Sequence, residues 1–158
     1  MVCTNPGIHE EGAGRRRPGV LWCGRPYDAR VDVETSARAW MDAWTRSWRA
    51  KDPELLAPVY APNTVFRSHP FRAPQPPLDY ARWAYDEEEG EVELWMGEPI
   101  VSGDRAVAEW WAVVTENGEL TSLAGASFLR FDDEGRVVEQ HDYWGSAAGR
   151  TPPWDDWR

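Results

Sequence analysis

The chain has 158 residues, a formal net charge of −10 and 42% hydrophobic residues, which suits one domain with a sizeable core. Its 27 acidic residues against 17 basic ones argue against a nucleic-acid partner, because phosphate affinity comes mainly from clustered Lys and Arg. No run of about 18 apolar residues is present, so no membrane-spanning helix is expected. Cys3 and Cys23 both fall in the first 23 residues, away from any core pattern, and no signal-peptide stretch precedes them, which points to a cytoplasmic location.

Residues 1–32 hold five Gly, three Pro and an Arg15-Arg16-Arg17 run without apolar periodicity, and read as a disordered tail. Removing residues 1–30 is therefore expected to leave the melting temperature unchanged. A loss of more than about 1 kcal/mol, the size of a typical point mutation, would show that the tail packs on the domain. Periodicity begins after Asp32. Ala37, Trp40, Met41, Trp44 and Trp48 recur at three- and four-residue steps, which predicts an amphipathic helix over 33–50. Asp52-Pro53-Glu54 then opens a second short helix that Ala61-Pro62-Asn63 stops. A short strand follows over Thr64–His69, then a Pro-rich loop over 70–77 and a third helix over 78–89.

The remainder reads as β. Segments 92–101, 105–116, 120–132 and 136–144 are rich in Val, Trp, Leu and Phe. They are separated by Ser102-Gly103-Asp104, Asn117-Gly118 and Asp132-Asp133-Glu134-Gly135, turns short enough to force antiparallel neighbours. Residues 149–158 are left as a C-terminal tail. Helices first and a meander afterwards make an α+β layout, with three N-terminal helices packed on a bent, mostly antiparallel sheet.

That order resembles the cone-shaped nuclear-transport-factor-2-like fold. Trp48-Arg49-Ala50-Lys51-Asp52-Pro53-Glu54 with Tyr60-Ala61-Pro62-Asn63-Thr64-Val65-Phe66 is similar to its opening, and the stretch from Gly135 to Trp144 is similar to its last strand. Together they resemble the polyketide-cyclase-like, or SnoaL-like, branch over residues 33–148. The resemblance implies a small-molecule pocket and allows isomerases, cyclases, hydrolases, dehydratases and non-catalytic proteins. Asp142, in Asp142-Tyr143-Trp144, matches the last-strand Asp of limonene-epoxide-hydrolase-like proteins. Their Arg-x-Asp pair is matched by Trp110 and Ala112, and their Tyr and Asn by Phe66 and Ser68. Epoxide hydrolysis is not expected with those supports gone.

Strand alternation extends the list. If Asp142 points inward, so do Val138, Gln140 and Trp144, while Glu139, His141 and Tyr143 point away. Trp110 shares its face with Ala108, Ala112 and Val114, whereas Glu109, Trp111 and Val113 lie outside. Ser127 and Leu129 face in from the strand between. This composition suits a site with apolar walls and a few convergent polar groups. Asp142 is the candidate general base, because a carboxylate in an apolar cavity titrates nearer neutrality. His69, after the first strand, is the second candidate for proton transfer. Trp110, Phe66, Ser68, Ser127, Gln140 and Trp144 are candidate ligand contacts. No cofactor is expected: the three histidines lack metal-site spacing, and no Gly-rich nucleotide loop is present. The acidic run Asp86–Glu89 reads as a solvated helix end. An outer face carrying Trp111, Val113 and Tyr143 predicts a homodimer. A small apolar molecule is the expected partner, and the readings open here are an acid–base enzyme, a non-catalytic binder and a structural dimer.

Overall fold

The structure, a computed structural model, describes residues 31–157. Nearly all of the expected N-terminal tail, residues 1–30, lies outside the described residues. Helix α1 spans Val33–Ala50 and begins at Asp32, whose carboxylate accepts from Glu34 N and Thr35 N at 3.3 Å each. It ends at Lys51, which takes a left-handed conformation at φ 55°. Its Trp40 and Trp44 are buried beside Ala37 and Ala43, so the apolar stripe packs on the sheet.

The second helix is a 3₁₀ helix, Pro53–Val59, capped by Asp52. Pro58, inside the seven-residue helix, removes a donor that an α-helical ladder would need. Ala61-Pro62-Asn63, expected to stop the second helix, does not adjoin it, because the helix ends at Val59. It lies inside strand β1, Tyr60–Arg67, where the register shifts between Tyr60 and Val65 and Asn63 has φ 62°. Pro62 cannot donate to a ladder and is tolerated at this edge-strand irregularity. Helix α2 spans Pro77–Glu87.

Strands β2 (Glu89–Met96), β3 (Ile100–Ser102), β4 (Arg105–Glu116), β5 (Glu119–Phe131) and β6 (Val137–Ala148) complete one six-stranded sheet. The order is β1-β6-β5-β4-β2, with β3 also paired to β4. The predicted strand 92–101 is thus two strands. Every pairing is antiparallel except that of β1 with β6. Three helices against this curled sheet make the cone-shaped α+β fold.

Register sets the inner face. Trp144, Gly125 and Trp110 lie in one cross-strand row, and Asp142, Ser127 and Ala108 in the next. Gly125, Ser127 and Ala108 are the small members of these rows, and they leave space between the larger side chains on the inner face. Gly125 has a specific role. A Cβ there would lie 2.9 Å from Trp144 Cα and closer still to Tyr143 O. Gly125→Ala should therefore push β5 and β6 apart and cost about 1–3 kcal/mol, as overpacking does, measurable as a lower urea midpoint. One inward assignment is corrected. Arg130 pairs with Glu139 but Phe131 with Val137, so Val138 is the extra residue of a bulge, and Val137 is the fully buried one.

The outer face also departs from expectation. Ser122 Oγ donates to Gly149 O and accepts from Thr151 N, both at 2.7 Å, and Trp111 Nε1 donates to Thr151 O at 2.7 Å. The segment after β6 therefore lies along the sheet opposite Val113, the neighbour of Ser122, and Val113 is buried. Trp111 stacks edge-on with Trp154 at 5.6 Å. Exposed apolar groups on that face include Ile100, Leu120, Phe128, Tyr143 and Trp154, whereas Val113 is buried and Trp111 half-buried.

Candidate functional site

Between α1, α2 and the inner face lies a cavity of about 350 Å³. Its walls are mostly indole and phenol rings, including Trp48, Tyr80, Trp83 and Tyr85 from the helices and Trp110 and Trp144 from the sheet. Asp142, Ser127 and Gln140 supply the polar floor.

Hydrogen bonding around Asp142 runs in one direction. An indole N–H can only donate. Trp40 and Trp44 donate to Tyr60 Oη at 3.0 and 2.8 Å, so the Tyr60 hydroxyl proton is left for Gln140 Oε1, which also accepts from Trp40 at 3.1 Å. This fixes the Gln140 amide, whose Nε2 donates to Asp142 Oδ1 at 2.9 Å. In the same way Trp110 Nε1 donates to Ser127 Oγ at 3.1 Å, which leaves the Ser127 hydroxyl proton for the Asp142 carboxylate. Burial raises the Asp142 pKa to about 7, and the bonds from Ser127 and Gln140 pull it part of the way back. No cation is bonded to it among the described residues. Burial likewise pushes the Tyr80 hydroxyl up to about 12, with the Asp142 charge adding to the effect.

The structure brings Asp142, Trp110, Ser127, Gln140 and Trp144 to one cavity. Phe66, Ser68 and His69 do not line it. Phe66 is fully buried beneath Tyr80, with ring centres 5.2 Å apart. Ser68 is also fully buried and accepts from Gln75 Nε2 at 3.2 Å and Arg72 at 3.4 Å. The His69 ring meets the edge of Trp144 at 5.3 Å, and its Nδ1 accepts from Phe71 N at 3.3 Å. Trp144 also donates to Ser68 O at 2.6 Å, so it is Trp144, not His69, that presents to the cavity. Of the three only Phe66 belongs to β1, an edge strand joined in parallel to β6, and Ser68 and His69 follow its end.

Several lining groups escape sequence reasoning. Arg72 sits in the loop after β1, with its guanidinium 5.5 Å from the Trp83 ring and 5.8 Å from the Trp144 ring. Tyr80 and Trp83 come from α2. Glu88, expected in solvent, turns inward, where it pairs with Lys51 and accepts from Trp48 Nε1 at 2.7 Å. Only the chain's single lysine placed one turn beyond an aromatic helix could have hinted at that pair. Among the described residues, no three His, Cys, Asp or Glu side chains are grouped to hold a metal ion, and no helix is long and apolar enough to cross a membrane.

A search of curated proteins finds no match. Solved structures share the fold. SalBIII, described as an epoxide hydrolase/cyclase-like enzyme in pyran ring formation of the polyether salinomycin, superposes with a TM-score of 0.63 at 12% identity, covering 75% of this chain and 98% of that one. An LEH-like epoxide hydrolase of M. tuberculosis gives 0.56 at 13% identity, over 72% and 86%. TsrD from Streptomyces laurentii gives 0.57 at 20% identity, over 70% and 88%. The sequence model of the SnoaL-like domain matches residues 37–140, which run from α1 to the floor residue Gln140 and so take in most of the cavity. With two thirds of its length matched in this way, the chain belongs to the SnoaL-like domain family.

Proposed function

We propose that this is a small-molecule enzyme in which Asp142 moves a proton to or from an apolar carbonyl compound, in a cyclase, isomerase or hydratase type of reaction. One observation carries the reading: Asp142 is buried in a ~350 Å³ aromatic cavity, where burial pushes its pKa up to about 7, and among the described residues no cation is bonded to it. A structural aspartate is normally paired, because an unpaired buried carboxylate is costly. A carboxylate poised near neutral pH can take a proton and return it. Ser127 and Gln140 hold it in place, and Trp110 and Trp144 supply contact area. As a base Asp142 must be ionised, so kcat/KM should rise with pH through about 7 and level off above it.

The test is a thermal-shift screen of apolar ketones and aldehydes, since a ligand that binds only the native state stabilises it. Each hit is then followed by NMR in D₂O for exchange of the hydrogens next to its carbonyl. Catalysed exchange that Asp142→Asn abolishes is the expected result. Binding without any catalysed exchange would favour a non-catalytic binder, a reading supported by the aromatic walls. In that case Trp110→Ala should weaken affinity more than Asp142→Asn does. Pairing of two copies through the exposed Phe128 and Tyr143 face belongs to either reading, and light scattering that returns a mass near the 18.0 kDa chain would remove it.

A further inference from the structure

We propose that Arg72 is a carboxylate-binding residue at the mouth of the cavity, and hence that the cavity takes an organic acid, with the apolar body against the floor and the carboxylate at the rim. The inference deepens the reading of Asp142 and rests on it for which end of the molecule reacts.

Among the described residues, Arg72 is the only cationic side chain that lines the cavity, beside Glu87, Glu88, Glu116 and Asp142. In a chain with an excess of acidic residues most guanidinium groups find a carboxylate, as Arg38, Arg82, Arg130 and Arg150 do. Among the described residues Arg72 is in no such pair. Its side chain is nevertheless held in place. The guanidinium lies over two indole rings, and it donates to Ser68 Oγ, which is fully buried. Aromatic stacking of this kind leaves the edge of the planar group free. Five N–H donors are available, and the one neutral acceptor leaves a fork of the shape that a carboxylate fills with two parallel bonds.

Position fixes which part of a ligand it meets. Arg72 is exposed, as is Trp83 beside it, so both mark the open side of the cavity. Asp142 and Ser127 are buried at the floor. Trp144 links the two ends: its ring lies under Arg72, and it sits two residues beyond Asp142 on the same face of β6. A ligand whose apolar body spans Trp144 would place its carboxylate at Arg72 and its reacting carbon near Asp142. Charge selects the class of anion. One guanidinium offers charge for one carboxylate, and the acidic side chains around it would repel a dianionic phosphate more strongly than a monoanion.

The experiment titrates the full chain at about pH 6 with phenylacetate, 3-phenylpropanoate and 4-phenylbutanoate, each beside its neutral amide, reading quenching of the cavity tryptophans. At least one acid is expected to bind about tenfold or more tightly than its amide, the usual worth of a charge-assisted fork. Arg72→Gln should erase that preference while leaving amide affinity within about twofold, and Arg72→Lys should keep part of it. Asp142→Asn should retain the preference. Unchanged melting temperatures guard against misfolding, because Arg72 is exposed. Amides that bind as tightly as acids, or a preference that survives in Arg72→Gln, overturn the proposal and leave the Asp142 reading standing. If neither series binds at about 10 mM, the proposal falls, and the Asp142 reading is decided separately by the ketone and aldehyde screen.

Discussion

Replacing Asp142 with Asn is expected to lower turnover by about 10²–10⁴-fold, the usual contribution of a positioned acid or base, and at the same time to stabilise the protein at alkaline pH. The second effect follows from the sign of the pKa shift. Asp142 titrates at about 7 in the folded chain against 3.8 for a free side chain. Between those values the folded state binds the extra proton, so stability falls as pH rises. The proton's contribution is complete below about 3.8 and gone above about 7. A three-unit shift in a fully buried group corresponds to about 4 kcal/mol over that window. Asn cannot ionise, so this component of the pH dependence should disappear in the variant. Melting temperatures of the two proteins from pH 4 to 9 check it. Parallel curves would mean that Asp142 is paired or solvated in solution.

Tyr60→Phe should be the most damaging single change that leaves the shape of the core intact, costing about 2–3 kcal/mol. Tyr60 Oη is buried, and burial pushes its pKa well up, so it stays protonated. It accepts from Trp40 and Trp44 and donates to Gln140. In the variant Trp40 keeps Gln140 Oε1 at 3.1 Å, but Trp44 Nε1 loses the acceptor it has. A buried donor left without a partner costs about 1–3 kcal/mol, and the lost hydroxyl packing adds to it. At about 2–4 °C per kcal/mol for a chain of this size, the melting temperature should drop by roughly 5–10 °C. A drop below about 1 °C would show that water or a rotated Gln140 takes over the acceptor role.

Alternation with period two is enough to place Trp110, Ser127, Gln140, Asp142 and Trp144 on one face, because β4, β5 and β6 are long, central and antiparallel, with turns that fix their register. It fails where a strand is irregular. The bulge that swaps Val138 for Val137 depends on how β6 meets the end of β5, and no local pattern encodes it. Phe66 and Ser68 enter the expected site only through the family resemblance, and His69 only through its place after the first strand. Position along an edge strand with a register shift does not fix how far its side chains reach. Arg72, Tyr80 and Trp83 enter from a Pro-rich loop and a short helix whose angle to the sheet is a tertiary property. Their chemistry is visible in the sequence, but their convergence is not.

The fixed direction of the bonds behind Asp142 has an isotopic consequence. Every hydrogen on the protein side is committed toward the carboxylate: Tyr60 to Gln140, Gln140 to Asp142, Trp110 to Ser127, and Ser127 to Asp142. None of these groups can accept a proton from Asp142 and carry it onward without breaking an indole hydrogen bond. A proton that Asp142 takes from a bound molecule therefore leaves only through the cavity, and the molecule itself fills that route. Isomerisation in D₂O should then return much of the original hydrogen to the product, with label entering only as the complex opens to solvent.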